Sequence, residues 1–227
     1  MMFTYSDDMT AEGNQGRITV FGATGQTGRL IVAQALGRGD RVTAVVRDPN
    51  RLEVRDAGLK LVTAPDLTDP GLLADAIEGS RAVFSAIGPR GRKDGPVAAP
   101  ATESILMAMA ASSVRRLVVI SAAPVGIPPR DDSFLNRRIM LPLVGEILRP
   151  VYEDLRRMEG ELVASEAVWT SFRPPKLTDG PLTGRYRTVI GGGVPRGYSL
   201  SRADLAQAMF AALDRPETER SAVGIAY

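Results

Sequence analysis

The segment Gly22-Ala23-Thr24-Gly25-Gln26-Thr27-Gly28 limits the possible folds of this chain more than any other feature. It follows the β-rich run Arg17-Ile18-Thr19-Val20-Phe21 and opens a helical stretch to about Leu36, with Leu30, Ile31 and Ala35 on its apolar side. At a strand–helix junction each glycine has a task. Gly22 allows a tight turn, Gly25 lets a pyrophosphate approach the backbone, and Gly28 permits close packing of helix on strand. Free N–H groups and the helix dipole then favour negative charge at the helix start. The spacing and its context predict a dinucleotide-binding strand–turn–helix unit, with Thr24, Gln26 and Thr27 beside the ligand.

Downstream, strands and helices alternate. Arg41–Val46 and Leu59–Ala64 read as buried parallel strands. Asp69-Pro70 opens a helix to about Ile77, with Asp as N-cap and Pro in the first turn. Arg81–Ile87 is a fourth strand, 98–113 an Ala/Met-rich helix, and Leu117–Ser121 a fifth strand. Residues 122–133, with Pro124, Gly126, Pro128 and Pro129, read as a loop over the strand ends. Residues 134–148 are apolar with scattered arginines, and 150–165 form a charged amphipathic helix. Val168–Arg173 is a sixth strand stopped by Pro174-Pro175. Ser201 caps a last helix to about Leu213, with Asp204 near the positive end of its dipole. A strand at about 222–226 is expected to finish the sheet. This is the pattern of an α/β, Rossmann-type doubly wound, mostly parallel sheet in one domain over 17–227, after a leader over 1–16 that reads as disordered. The substrate side falls to 122–150 and 176–198, because ligands of open α/β sheets sit beyond the strand C-termini.

Composition then removes whole classes of chemistry. There is no cysteine and no histidine. That excludes disulfides, thiolate nucleophiles, Cys- or His-based metal sites and the Ser-His-Asp triad. The net charge is +2, and among the 28 basic residues only Lys60, Lys93 and Lys176 are lysine. Acidic residues are interspersed with the basic ones, so neither a nucleic-acid face nor a membrane surface is indicated. No stretch approaches the ~20 apolar residues of a span. Asp7, Asp8 and Glu12 in the leader do not suit a signal peptide. The expectation is a cytoplasmic protein acting on a small molecule without a metal, as a monomer or homodimer.

The end of the second strand bears on cofactor choice. An NAD site usually places Asp or Glu there for the ribose hydroxyls. Here the strand ends Val45-Val46-Arg47, with Arg51 four residues on. Guanidinium forks suit a 2′-phosphate, so NADP(H) is the expected cofactor.

With those residues in view, the chain resembles the atypical short-chain dehydrogenase/reductases, in particular the NAD(P)H-binding group of biliverdin-IXβ/flavin reductases and NmrA-like proteins. The resemblance runs over nearly the whole chain after residue 16. It is carried by GATGQTG at 22–28, VVRDP at 45–49, SAIGPR at 85–90 and RPPKLTDGPLTGRY at 173–186. It implies that Asp66 and Leu67 contact the adenine, and that Arg47 and Arg51 hold the 2′-phosphate. Ala86, Ile87, Gly88 and Arg90 would line the middle of the cofactor, and Ser121, Ala122, Pro174 and Pro175 would flank the nicotinamide. The chain also departs from its relatives. The Tyr-x-x-x-Lys pair of classical members is replaced by Tyr152 and Arg156. The serine and histidine of the biliverdin/flavin reductases align with Ala122 and Lys176.

With a nicotinamide cofactor bound, the protein supplies position, electrostatics and a proton. Lys176 is the first candidate for that proton or for orienting an anionic substrate, followed by Ser121 and then Tyr152. Pro124, Ile127, Phe134, Met140 and Leu141 offer an apolar cover suited to a flat ring. The expected function is an NADPH-dependent reductase passing hydride to a flavin, quinone or aromatic or polyketide-like carbonyl. An NmrA-like redox sensor without turnover, or an epimerase, isomerase or cyclase on the same fold, are the alternatives.

Overall fold

A computed structural model of the 227-residue chain describes residues 3–4, 16–67, 69–89, 95–127 and 148–227. The elements are β1 (Phe3–Thr4), β2 (Arg17–Phe21), α1 (Gln26–Gly37), β3 (Arg41–Val46), β4 (Leu59–Thr63), α2 (Pro70–Ile77), β5 (Ala82–Ser85) and α3 (Ala98–Ala110). They continue with β6 (Arg116–Ile120), α4 (Arg149–Ala164), β7 (Val168–Arg173), β8 (Lys176–Thr178), β9 (Arg187–Ile190), β10 (Ser199–Ser201), α5 (Arg202–Ala211) and β11 (Ser221–Ala226).

Nine strands form one sheet in the order β1-β9-β11-β7-β6-β5-β2-β3-β4. From β2 the chain steps outward through β3 to β4, then returns to place β5 on the other side of β2. The strand order therefore reverses between β2 and β5, which is where α/β sheets bind ligands. Strand pairing is parallel from β4 through to β11.

Alternating side chains split the core into two layers. On one face Ile18, Val20, Phe84, Val118 and Phe172 pack with Ile31 and Val32 of α1 and Leu205, Met209 and Phe210 of α5. On the other, Phe21, Val83, Leu117, Val119 and Trp169 pack with Leu73 of α2, Ile105 of α3 and Tyr152, Leu155 and Leu162 of α4. Full burial of a Leu, Ile or Phe contributes about 1.5–3 kcal/mol, so these two layers carry the fold.

The helix starts were only partly readable. Asp69 caps α2 through bonds from the Gly71 and Leu72 amides, and the Ser201 hydroxyl accepts from the Asp204 amide, both as the sequence indicates. The start of α3 is different. Its cap position is Val97, which has no side-chain acceptor, and Asp154 of α4 supplies one instead. The buried Asp154 carboxylate accepts from the Val97, Ala98 and Ala99 amides at 2.9, 2.8 and 3.0 Å.

Several sequence expectations need correction at the far edge. β11 does not finish the sheet: β9 pairs antiparallel beyond it, and Phe3–Thr4 of the leader pairs antiparallel with Arg187 and Thr188. The rest of the leader up to residue 15 lies outside the described residues. β8 and β10 form a separate two-stranded parallel pair, with Lys176 opposite Ser199. Asp204 lies in the first turn of α5 as the sequence indicates, but it does more than complement the dipole. It is fully buried and accepts from the Thr183 and Gly184 amides, the Thr183 hydroxyl and the Tyr227 phenol. Burial alone would raise its pKa, but these bonds outweigh that and hold it below the ordinary Asp value.

Candidate functional site

The turn after β2 has the geometry its glycines promised. Gly22 sits at φ +73°, and a Cβ there would meet the Ala86 carbonyl oxygen at 2.6 Å. A side chain would therefore push β2 and β5 apart at the point where the order reverses. The Gly25 amide donates to the Gly22 carbonyl at 2.9 Å and closes the turn. A Cβ on Gly28 would lie 2.1 Å from that same carbonyl oxygen, so α1 rests directly on the strand end. Gly25 is the cap residue of α1 and no side chain caps the helix. Thr27 and Gly28 are buried and Gln26 is exposed, so this first turn presents main-chain donors with little side chain in front of them.

Beside the turn lies a cleft of about 520 Å³. Gly22, Thr24 and Gly25 form its floor, Val45, Val46 and Arg47 the end of β3, and Ala64, Pro65, Asp66 and Leu67 the end of β4. Ala86, Ile87 and Gly88 close it from β5, and Pro96, Val97, Pro100 and Ala101 cover it from the start of α3. The sequence singled out nine of these residues but not the α3 wall, whose small apolar side chains carry no chemical signal. The wall is placed by Asp154, from 53 positions beyond Ala101 in the sequence.

Around the end of β3 the charges are arranged for an anion. Arg47 and Arg51 are both exposed, and Arg51 ends a 3-10 turn at Pro49–Arg51. Asp48, next to Arg47 in the chain, commits its carboxylate to the Asn50 amide at 3.0 Å and caps that turn, while Asp66 at the end of β4 lines the same cleft as Arg47. Arg51 does not line the cleft itself, and Arg90 lies outside the described residues.

The remaining predicted residues gather two strands away, at the mouth of β6 and β7, and none of them lines the cleft. The Ser121 amide donates to the Phe172 carbonyl at 2.7 Å and the Ala123 amide to Pro174 at 2.8 Å, which brings Ala122, Pro174 and Pro175 alongside one another. Ser121 is 6% exposed, and its Oγ has no hydrogen-bond partner among the described residues. By alternation from Leu117 and Val119 it faces the α3–α4 layer, the layer that contains Tyr152. Tyr152 is buried in the first turn of α4, and burial pushes its phenol above the ordinary Tyr value. Lys176 is exposed on β8. Beneath this mouth, Glu159 of α4 accepts from the Ser171 hydroxyl and from two nitrogens of Arg173. Arg173 in turn supports the 123–126 segment, since a Cβ on Gly126 would meet its guanidinium at 2.7 Å. From β3 to β7 is four strand intervals, roughly 19 Å at ~4.8 Å each, enough for two nucleotides laid end to end.

An open helix start at the switch point, with a cleft on one side and a polar mouth on the other, defines a Rossmann dinucleotide-binding protein. Residues 22–216 match the model of the NAD(P)H-binding family, and the chain belongs to that family. A nicotinamide nucleotide is the cofactor class of that family. An uncharacterized chloroplastic protein of Arabidopsis thaliana is 32% identical over 188 residues, covering 74% of this chain and 61% of that one. A dihydroflavonol 4-reductase of Hordeum vulgare is 32% identical over 128 residues, covering 49% of this chain and 36% of that one. The matches thus span less than two thirds of either relative. Among solved structures, a protein of Burkholderia pseudomallei superposes with a TM-score of 0.78 at 27% identity, covering 94% of this chain and all of that one. Among the described residues no helix is long and apolar enough to cross a membrane.

Proposed function

We propose that the protein is an NADPH-dependent reductase of a flat, largely apolar organic acceptor. The observation that carries the choice of NADP is the end of β3: Arg47 at the cleft, Arg51 on the adjoining turn, and Asp48, the acid next to Arg47 in the chain, occupied as a cap. A ribose 2′-phosphate satisfies two guanidiniums where a free hydroxyl would leave them unpaired. The residues present fit the whole cofactor. The amides of the first turn of α1 bind the diphosphate, and the apolar cleft against α3 takes the adenine.

When bound, the nicotinamide supplies the hydride. The protein's own part is to orient and protonate. The buried, unpartnered Ser121 Oγ is placed to donate to a carbonyl oxygen or to the carboxamide. Tyr152, kept protonated by burial, holds a proton in the same layer, while Lys176 at the rim orients an anionic group or passes a proton from solvent. Pro174 and Pro175 keep the rim rigid and dry. The barley relative's name makes an aromatic ketone the first acceptor to assay, with flavins and quinones next.

The test is NADPH oxidation by the purified protein against those three acceptor classes, with nucleotide binding measured in parallel. Turnover with one of them and a preference for NADPH over NADH is the expected result. Tight NADP(H) binding with no turnover across all three would reassign the chain to a redox-sensing binder, and product without net NADPH consumption would reassign it to an isomerase or epimerase.

A further inference from the structure

Arg29 has no part in the glycine turn and does not line the cleft. It is exposed in the first turn of α1, immediately after Gly28. Its guanidinium reaches across to the 3-10 turn after β3 and donates from one terminal nitrogen to the Arg51 carbonyl oxygen at 2.8 Å. That bond joins the two elements flanking the expected phosphate position: the helix that carries the diphosphate donors and the turn that carries Arg51. One guanidinium has five donors, and among the described residues only this one makes a hydrogen bond. Held by the main-chain carbonyl of Arg51, the Arg29 guanidinium makes no ion pair to any acid among the described residues. Arg29 thus adds a third positive charge to the helix–turn junction that carries Arg51 and follows Arg47 by two residues, and a doubly charged anion is the partner such a charge balance favours.

We infer that Arg29 is the third member of the 2′-phosphate site, a guanidinium pre-oriented by the Arg51 carbonyl that selects a phosphomonoester on the adenosine ribose. This rests on the NADP reading above. Arg47 and Arg51 approach from the β3 side, and Arg29 closes the site from the helix side. The Arg51 carbonyl fixes its side chain before ligand arrives, so less rotamer freedom is lost on binding than for an untethered arginine.

The experiment is calorimetry on the full chain with two fragments that undergo no redox chemistry, 2′,5′-ADP and 5′-ADP. Arg29→Gln is expected to weaken 2′,5′-ADP about tenfold or more, the usual effect of removing one charge-assisted bond to an anion. It should leave 5′-ADP within about twofold. The side chain is exposed, so the core is untouched. A second arm separates direct contact from tethering. In an Arg51→Gln background the backbone carbonyl remains, and Arg29→Gln should still cost 2′,5′-ADP affinity. Equal loss for both fragments, no loss for 2′,5′-ADP, or no further loss in the Arg51→Gln background would each overturn the assignment. If wild type binds both fragments equally, the 2′-phosphate preference falls and the role of Arg29 with it, while nucleotide binding stands. If wild type binds neither, the nucleotide reading itself is refuted.

Discussion

Replacing Gly28 by alanine tests how closely α1 rests on the end of β2. In a helix, Gly→Ala ordinarily stabilises by about 1 kcal/mol through backbone entropy and propensity. At Gly28 the sign should invert. The added Cβ would lie 2.1 Å from the Gly22 carbonyl oxygen, 2.8 Å from its carbon and 2.9 Å from the Ala23 Cα, all backbone atoms. Ordinary contact begins near 3.4 Å, so the helix would have to withdraw by more than an ångström. Overpacking of this kind costs roughly 1–3 kcal/mol, occasionally more, and here it must exceed the propensity gain. We expect net destabilisation of about 1–2 kcal/mol in urea melts with an unchanged m-value. Nucleotide affinity should fall at least tenfold, on the order of 1.4 kcal/mol, because the diphosphate donors move with the helix. Gly160→Ala in α4 is the matched control: a Cβ there meets nothing within 4 Å, and the variant should gain about 0.5–1 kcal/mol. A Gly28→Ala protein with the midpoint and affinity of wild type would refute the packing argument.

Three further outcomes follow from the polar interior. Ser121→Ala removes a buried hydroxyl that has no partner, so stability should stay within about 1 kcal/mol of wild type or rise, while turnover with the preferred acceptor falls tenfold or more; unchanged turnover would remove Ser121 from the mechanism. Asp204→Asn should cost about 2–4 kcal/mol, since the buried carboxylate serves Thr183, Gly184 and Tyr227. Its folded pKa is depressed, so this contribution is complete above the unfolded value of about 3.9 and disappears as pH falls through the lower folded value; acid titrations of the two proteins should therefore begin to approach one another only below about pH 4 and meet once pH is under the folded value. Glu159→Ala strands Arg173 in a largely buried site and should cost roughly 3–5 kcal/mol by chemical denaturation, whereas a loss below 1 kcal/mol would show that the pair is solvated.

The parts of this fold legible in the sequence are those in which local spacing and tertiary role coincide. Gly22 and Gly28 were readable because the steric demand of a strand–turn–helix unit is satisfied within seven residues. Arg47 was readable for the same reason: it ends a strand whose neighbour is the first strand. What stayed hidden depends on partners far away in sequence. Asp154 looked like one more charge on an amphipathic helix, and Asp204 like a dipole partner, yet each is buried against amides of another segment. The β9 strand is four residues with none fully buried, and its pairing with β11 gives no alternation to detect. Ser121 was legible as a position, but its unpartnered hydroxyl became visible only with the burial of its neighbours.

The cross-helix bond from Asp154 also removes the start of α3 as a place for an oxyanion. Three helices that begin on the ligand side of the sheet have their opening donors already spoken for: α2 by Asp69, α3 by Asp154 and α5 by Ser201. Two of those three guards are carboxylates, which turn an approaching phosphate away as well as filling its place. On this surface α1 stands open beside three closed doors, two of them negatively posted, and α4, which also lacks a side-chain cap, opens on Pro150 instead. A diphosphate drifting along that surface is steered to its berth by refusals as much as by attraction.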